Sequence, residues 1–232
     1  MTEELLALQA IDTIADQLTH RRSHLPELAD ATAARAARAD WERQRDEFGR
    51  QLDALTLEIE AAEHDSGDID RHRDRLNAQL RTVIAPREAE ALQHEIKTLS
   101  DRRSTLDDRG LYALEQQSAL DDERAVHAGH EPAVNATVEV AETALAAAMA
   151  EIDEQLSELA ERRSALRSGV PPQLLARYDS LRAQLGVAVA RLVGSRCDGC
   201  HLDLSAAEVE AVKAVDRTEL AECPQCGRLL VR

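Results

Sequence analysis

Cys197-Asp-Gly-Cys200 and Cys223-Pro-Gln-Cys226-Gly-Arg228 contain all four cysteines of the chain, as two CxxC knuckles separated by 22 residues. A CxxC turn sets two thiolates on one side of the backbone. Two such turns facing each other place four sulfurs at the corners of a tetrahedron, the geometry Zn²⁺ takes in a closed structural site. Gly199 and Gly227 suit turns that bend sharply and bring amides close to sulfur. Two disulfides would need an oxidising compartment, which nothing in the chain marks. A redox CxxC stays open for one pair but leaves the other idle. A rubredoxin-like iron site has similar knuckles, yet residues 186–232 contain no aromatic to build that core. A RING-type domain needs about eight ligands for two metals, and only His201 is near, read here as a solvent-facing residue. The reading is one structural Zn²⁺ held by Cys197, Cys200, Cys223 and Cys226.

Working outward, Val187, Val189, Arg191 and Val193 alternate as a half-buried strand entering the first knuckle. Ser205-Ala-Ala-Glu208 is a capping box, which predicts a short helix from about Ala206 to Lys213. Thr218-Glu-Leu-Ala leads into the second knuckle, and Arg228-Leu-Leu-Val231 reads as a closing strand. Strand, knuckle and strand around one metal make a zinc ribbon, residues 186–232. So small a module has little core, and its folding should depend on metal binding, worth ~10–16 kcal/mol at such sites.

Upstream the composition changes the class. The chain is 31% charged and 2% aromatic, its rings being Trp41, Phe48, Tyr112 and Tyr178. A globular enzyme core uses more rings, whereas abundant Ala, Leu, Glu and Arg describe long helices burying a narrow seam. Ile11, Ile14, Leu18, Leu25 and Leu28 fall at successive a and d positions, with Arg21 at one d site. Trp41, Phe48, Leu52, Leu55, Ile59 and Ala62 continue the alternation, and both rings read as seam packing. Pro26 should kink this helix or divide it near Leu25, and His64-Asp-Ser-Gly-Asp68 reads as the first break after it. Ile69, Leu76, Leu80 and Ile84 follow before Ala85-Pro86 breaks the chain again. The returning seam runs through Leu92, Ile96, Leu99, Arg103 and Leu106, then Val134 to Ile152, then Leu156, Leu159 and Leu166. Interruptions are expected near 129–132 and 169–172, and the hairpin tip within 65–87. The expected fold is mainly α: a long antiparallel coiled-coil hairpin over 1–185, then the ribbon with short β-strands. Arms of that length at 1.5 Å per residue would extend roughly 90–120 Å. Such a seam can pair within one chain or between two, so monomer and dimer both stay open.

The net charge of −16 disfavours general affinity for nucleic acid or an anionic membrane. Residues 187–232 offer six basic and seven acidic side chains, so the ribbon does not reverse that balance. Met1-Thr-Glu-Glu-Leu is no signal peptide, and no apolar run approaches the ~18–20 residues of a membrane span. The expectation is a cytoplasmic protein that keeps its thiols reduced for zinc and does not engage the membrane.

Three stretches carry a family resemblance: Leu8-Gln-Ala-Ile-Asp12 with Leu25-Pro26; Val83-Ile-Ala-Pro-Arg-Glu-Ala-Glu-Ala-Leu92 with Glu95-Ile96; and the two knuckles. The whole chain resembles a bacterial family with a long coiled-coil hairpin and a C4-type zinc ribbon. The resemblance implies zinc ligation by Cys197, Cys200, Cys223 and Cys226, and a nucleic-acid-binding zinc-ribbon role. Some relatives are associated with the alternative sigma factor 54 and with flagellar or type III secretion systems, as adaptors. Family tips often carry an aromatic after the Arg-Glu pair; here Ala89 follows Glu88, so a contact made by that aromatic does not carry over.

The leading expectation is a non-enzymatic scaffold or adaptor that binds proteins through the ribbon or through an Arg-rich tip of Arg71, Arg73, Arg75, Arg81 and Arg87. Asp68, Asp70, Asp74 and Glu88 nearly cancel those arginines, the alternative being a solvated helix face. The second expectation is direct RNA or DNA binding, opposed by the charge and by the scarcity of rings for base stacking. An enzyme is disfavoured, since no phosphate loop, nucleophile motif or dinucleotide fingerprint occurs. His20 and His24 share a helix face at i, i+4 but lack a third ligand.

Overall fold

The computed structural model describes residues 2–216 and 220–232. Along it run α1 (Thr2–Ser23), α2 (Pro26–Leu80), α3 (Pro86–Gly129), α4 (Glu131–Ser168), α5 (Pro172–Leu185), β1 (Val189–Val193), β2 (Arg196–Cys197), α6 (Ala206–Ala214), β3 (Ala221–Glu222) and β4 (Leu229–Val231). The fold is a long antiparallel coiled-coil hairpin followed by a small ribbon with short strands. Helices α2, α3 and α5 open with proline, whose missing N–H costs nothing in a first turn. The chain forms two compact units: one runs from Asp30 to Ala141, and the other joins the chain up to Ala29 with Glu142–Arg232.

In the Asp30–Ala141 unit the seam is narrow. Trp41, Phe48, Leu52, Ala62, Ile69 and Leu76 of α2 are buried, at spacings of four, seven and ten residues that are sums of the three- and four-residue steps of a coiled coil. Antiparallel pairs rim it: Arg109 Nε to Glu58 at 2.6 Å, Gln117 Nε2 to Thr56 Oγ1 at 3.0 Å, and Arg103 Nε to Asp70 at 2.9 Å. Helix α2 passes unbroken through His64–Asp68, where the sequence predicts a break. One helical glycine costs about 1 kcal/mol. Burial of Ala62 and Ile69 on either side of Gly67 outweighs it. The reversal instead occupies 81–85, between Leu80 and Pro86. At the other interruption only His130 separates α3 from α4. There Trp41 stacks on His127 (ring centroids 5.1 Å) and Phe48 meets it edge-on at 5.4 Å. Trp41 Nε1 donates to the His127 carbonyl at 3.0 Å, and His127 Nε2 lies 3.0 Å from the Trp41 carbonyl. Both rings are therefore packing groups, and His127 is their polar partner.

In the other unit the predicted seam holds at Leu18 and Leu25, which are buried, but toward its N-terminus α1 turns another face inward: Leu5, Leu8, Gln9 and Asp12 are buried, while Ile14 is 46% exposed. The face is chosen by α5 and the ribbon, which offer polar partners to Gln9 and Asp12. The four strands form one sheet in the order β2-β1-β4-β3, with β1 parallel to β4 and the other pairings antiparallel. Val189, Leu229 and Val231 pack with Leu5, Leu8, Tyr178 and Leu181 on one face. Ala190, Leu230, Cys197 and Cys223 pack with Val209 and Val212 of α6 on the other. The capping box that starts α6 is complete: Ser205 Oγ accepts from Glu208 N at 3.3 Å, and Glu208 Oε2 from Ser205 N at 2.7 Å. Of the lead-in to the second knuckle, Thr218 and Glu219 lie outside the described residues; Ala221–Glu222 is β3.

Candidate metal centre

The two knuckles share one backbone construction. Cys197 O accepts from His201 N and Cys223 O from Gly227 N, each at 2.8 Å, closing a turn over each CxxC. The residue after each pair is left-handed: His201 has φ 60° and Gly227 φ 71°. Glycine takes that conformation freely, whereas His201 carries a side chain there at a cost of roughly 1–2 kcal/mol. His201 is exposed and outside the sulfur cluster, and its carbonyl accepts from Arg196 Nε at 2.9 Å. Gly199 is required for space, not for its torsion. A Cβ there would sit 2.7 Å from Arg228 Cδ and 2.8 Å from Ala190 Cβ.

All four sulfurs lie within 4.8 Å of one another, and Cys200 Sγ is 4.0 Å from Cys223 Sγ. A tetrahedron with Zn–S of 2.3 Å has sulfurs ~3.8 Å apart, so this cluster needs only a small contraction to close on one ion. The cysteines are free thiols, with Cys197 and Cys223 buried and Cys200 and Cys226 half-buried. Burial pushes the Cys223 thiol up to about 12 and also raises Cys197. Burial opposes ionisation of Cys226 as well, but hydrogen bonds from Arg228 and from the neighbouring thiols bring it down to about 7. A divalent cation among them inverts that logic by deprotonating its thiols. Four sulfur ligands fill a tetrahedral zinc ion, leaving no position for water or substrate, so the site is structural.

Among the described residues, the ribbon's cations have partners within the protein. Arg228 runs past Gly199 to donate from Nε to the Val187 carbonyl at 2.9 Å. Arg232 reaches the carbonyls of Lys213 and Val215, at 2.9 and 2.7 Å, at the end of α6. Arg191 pairs with Glu3 at 3.3 Å, and Lys213 with Glu210 at 3.6 Å.

A second polar centre, missed by the sequence reading, ties α1 to α4 and α5 through Asp12, and Gln9 beside it ties α1 to the segment entering β1. Asp12, 1% exposed, accepts from Tyr178 Oη and from Arg163 Nε, each at 2.7 Å. Arg182 Nε lies 3.1 Å from the same carboxylate, an ion pair whose N–H is not aligned as a hydrogen bond. Burial and the Asp12 carboxylate together hold the Tyr178 phenol far above its ordinary value. Gln9 Oε1 accepts from Ala188 N at 2.6 Å, just ahead of β1. The available signal was Tyr178 itself, since a buried tyrosine needs a hydroxyl partner.

The tip arginines divide. Arg71 pairs with Asp68, and Arg73 with Asp70 at 3.1 Å. Arg75, Arg81 and Arg87 are exposed, with no ion pair to any described residue. Among the described residues no helix is long and apolar enough to cross a membrane.

An uncharacterized protein of Mycobacterium tuberculosis, Rv2229c, is 28% identical over 239 residues, spanning 98% of this chain and 94% of its own length. An uncharacterized Mycobacterium leprae protein, ML1638, is 23% identical over 96% of each chain. A solved structure from Mycobacterium smegmatis superposes with a TM-score of 0.80 at 25% identity, covering 99% of this chain and 97% of its own. CT398 from Chlamydia trachomatis superposes with a TM-score of 0.81 at 21% identity, covering 99% and 96%, a likeness of fold alone. The C4-type zinc ribbon domain matches residues 196–230. The CT398-like coiled coil hairpin domain matches residues 8–186, and the chain therefore belongs to that family, with a C4-type zinc ribbon after the hairpin.

Proposed function

We propose that this protein is a non-enzymatic scaffold or adaptor in which one structural Zn²⁺, held by Cys197, Cys200, Cys223 and Cys226, fixes a ribbon (186–232) on a helical hairpin (1–185) that engages other proteins. The observation that carries the reading is what the ribbon does with its cations. Among the described residues, Arg191, Arg196, Lys213, Arg228 and Arg232 are tied to Glu3, to Glu210 or to backbone carbonyls; Arg217 lies outside them. A phosphate-binding surface would instead leave such forks aimed outward. The net charge of −16 opposes nucleic acid in the same direction. By the family resemblance the partner class is a component of transcription or secretion machinery, met in the cytoplasm.

The test is a tagged pull-down from native lysate, with and without nuclease, beside Cys226→Ser. Protein partners that survive nuclease and are lost with Cys226→Ser are the expected result. Recovery of mainly RNA or DNA, with proteins lost on nuclease treatment, makes nucleic-acid binding the primary function and overturns the reading.

A further inference from the structure

The turn between α2 and α3 has a surface chemistry opposite to that of the chain as a whole. From Arg75 to Arg87 there are three arginines and no acidic residue, with Asp74 and Glu88 directly flanking the stretch, in a protein of net charge −16. Arg75, Arg81 and Arg87 are exposed and, among the described residues, form no ion pair. At the apex Ile84 is 95% exposed, whereas the next most exposed large apolar side chain, Val140, is 69%. An isolated, half-exposed Leu or Val is ordinary; a fully presented Ile in a turn whose sequence also carries three exposed arginines without ion pairs is not.

The turn is closed on both sides. Thr82 N and Val83 N donate to the Gln79 carbonyl at 3.0 and 3.1 Å, and Thr82 Oγ1 to the same oxygen at 2.9 Å. Ala85 O accepts from Glu88 N and Ala89 N at 3.2 and 3.1 Å, with Pro86 fixing the first turn of α3. Val83, Ile84 and Ala85 thus span two fastened helix ends, so docking here has little backbone entropy left to lose.

We propose that this turn is a docking knob for a protein partner offering an apolar socket rimmed by Asp and Glu. Ile84 fills the socket, and Arg75, Arg81 and Arg87 pair with the carboxylates. Full burial of one such side chain is worth roughly 10- to 100-fold in affinity, and rim charges mainly set encounter rate and partner choice. A protein is favoured over nucleic acid because an isoleucine gains nothing against phosphate, and no Phe, Tyr or Trp lies between Phe48 and Tyr112 to stack a base. The proposal rests on the scaffold reading and adds to it the site and the partner's chemistry.

The experiment uses the full-length zinc-loaded protein in its own cells, with a benzophenone amino acid in place of exposed Thr82. Irradiation is followed by mass spectrometry of the adduct. The expected result is a discrete protein adduct whose crosslinked segment carries apolar residues flanked by Asp or Glu. Adding Ile84→Glu, or Arg81→Glu with Arg87→Glu, lowers its yield at least tenfold while helicity by circular dichroism is unchanged. No adduct, adducts to nucleic acid, lipid or a second copy of this chain, or a yield indifferent to both variants each overturn the proposal. Nuclease-resistant partners recovered equally with and without Ile84→Glu, but lost with Cys226→Ser, leave the scaffold reading standing and remove only the knob.

Discussion

Replacing Asp12 with Ala should be the most damaging single change in the helix–ribbon unit outside the cysteines. The substitution removes a carboxylate that is 1% exposed and serves Tyr178, Arg163 and Arg182 at once. The phenol, on a residue 0% exposed, is left without its acceptor. Losing a hydrogen bond to a charged group costs about 1.5–3 kcal/mol. Breaking a buried ion pair costs ~3–5 kcal/mol when the orphaned charge stays dry. Here the side chains of Arg163 and Arg182 are 32% and 26% exposed, so water compensates part of that loss. The expected destabilisation is therefore about 3 kcal/mol, and about 1.5 kcal/mol for Tyr178→Phe, which removes only the donor. The two should couple by at least about 1 kcal/mol in a double-mutant cycle.

The assay is urea unfolding of zinc-loaded protein, read by thiol accessibility in the ribbon and by fluorescence of Trp41. The sole tryptophan lies in the Asp30–Ala141 unit and serves as the internal control. A loss below about 1 kcal/mol for Asp12→Ala, or a shift confined to Trp41, would refute the claim that Asp12 pins α1 to α4 and α5, with α1 and α5 packing on the ribbon sheet.

Gly199→Ala forces a Cβ against Arg228 and Ala190; overpacking of about 2 kcal/mol should weaken zinc roughly thirtyfold in chelator competition. Gly227→Ala should cost about 1–2 kcal/mol of ribbon stability, whereas His201→Gly, at the equivalent left-handed position, should be neutral or gain up to about 1 kcal/mol, both read from urea midpoints. Stripping zinc with a chelator at neutral pH should expose all four thiols and also lower far-ultraviolet helicity, because α1 and α5 pack on the ribbon sheet. On acidification, Asp179 is held below the usual carboxylate range by its hydrogen bond from Arg167, and Glu208 by the Ser205 backbone N–H. Both folded values are depressed, so their stabilisation is complete above roughly pH 4–5 and is lost as pH falls through the folded values; Asp179→Asn should flatten that part of the acid titration.

The zinc site was legible because ligand chemistry is written in spacing. Two CxxC pairs admit few alternatives, and the Ser205–Glu208 box marked its helix start by local hydrogen bonding alone. The hairpin was legible from the 3-4 alternation of α2 and α3. What apolar periodicity could not give was the buried face of the N-terminal half of α1. That face is chosen by Gln9 and Asp12, polar residues that a hydrophobic count assigns to solvent, and by Arg163 and Arg182, which read as surface charges. Nor does local glycine content decide a helix break. Gly67 stays helical because Ala62 and Ile69 pack on either side of it, and packing is a tertiary quantity.

The sheet explains why a structural metal matters beyond the ribbon. Successive residues of a strand face opposite sides, so Val189 and Leu229 look toward α1 and α5 while Ala190 and Leu230 look toward the sulfurs. One layer is thus the wall of two small cores, neither large enough to stand alone. Arg228 crosses that wall. It leaves the second knuckle, passes the first at Gly199 and ends on the Val187 carbonyl just beyond α5. Gln9 meets the same connection from the other side through Ala188 N. The free energy of metal binding is therefore not confined to the ribbon, residues 186–232. It is shared with α1 and α5, which pack on the face of the sheet opposite the sulfurs.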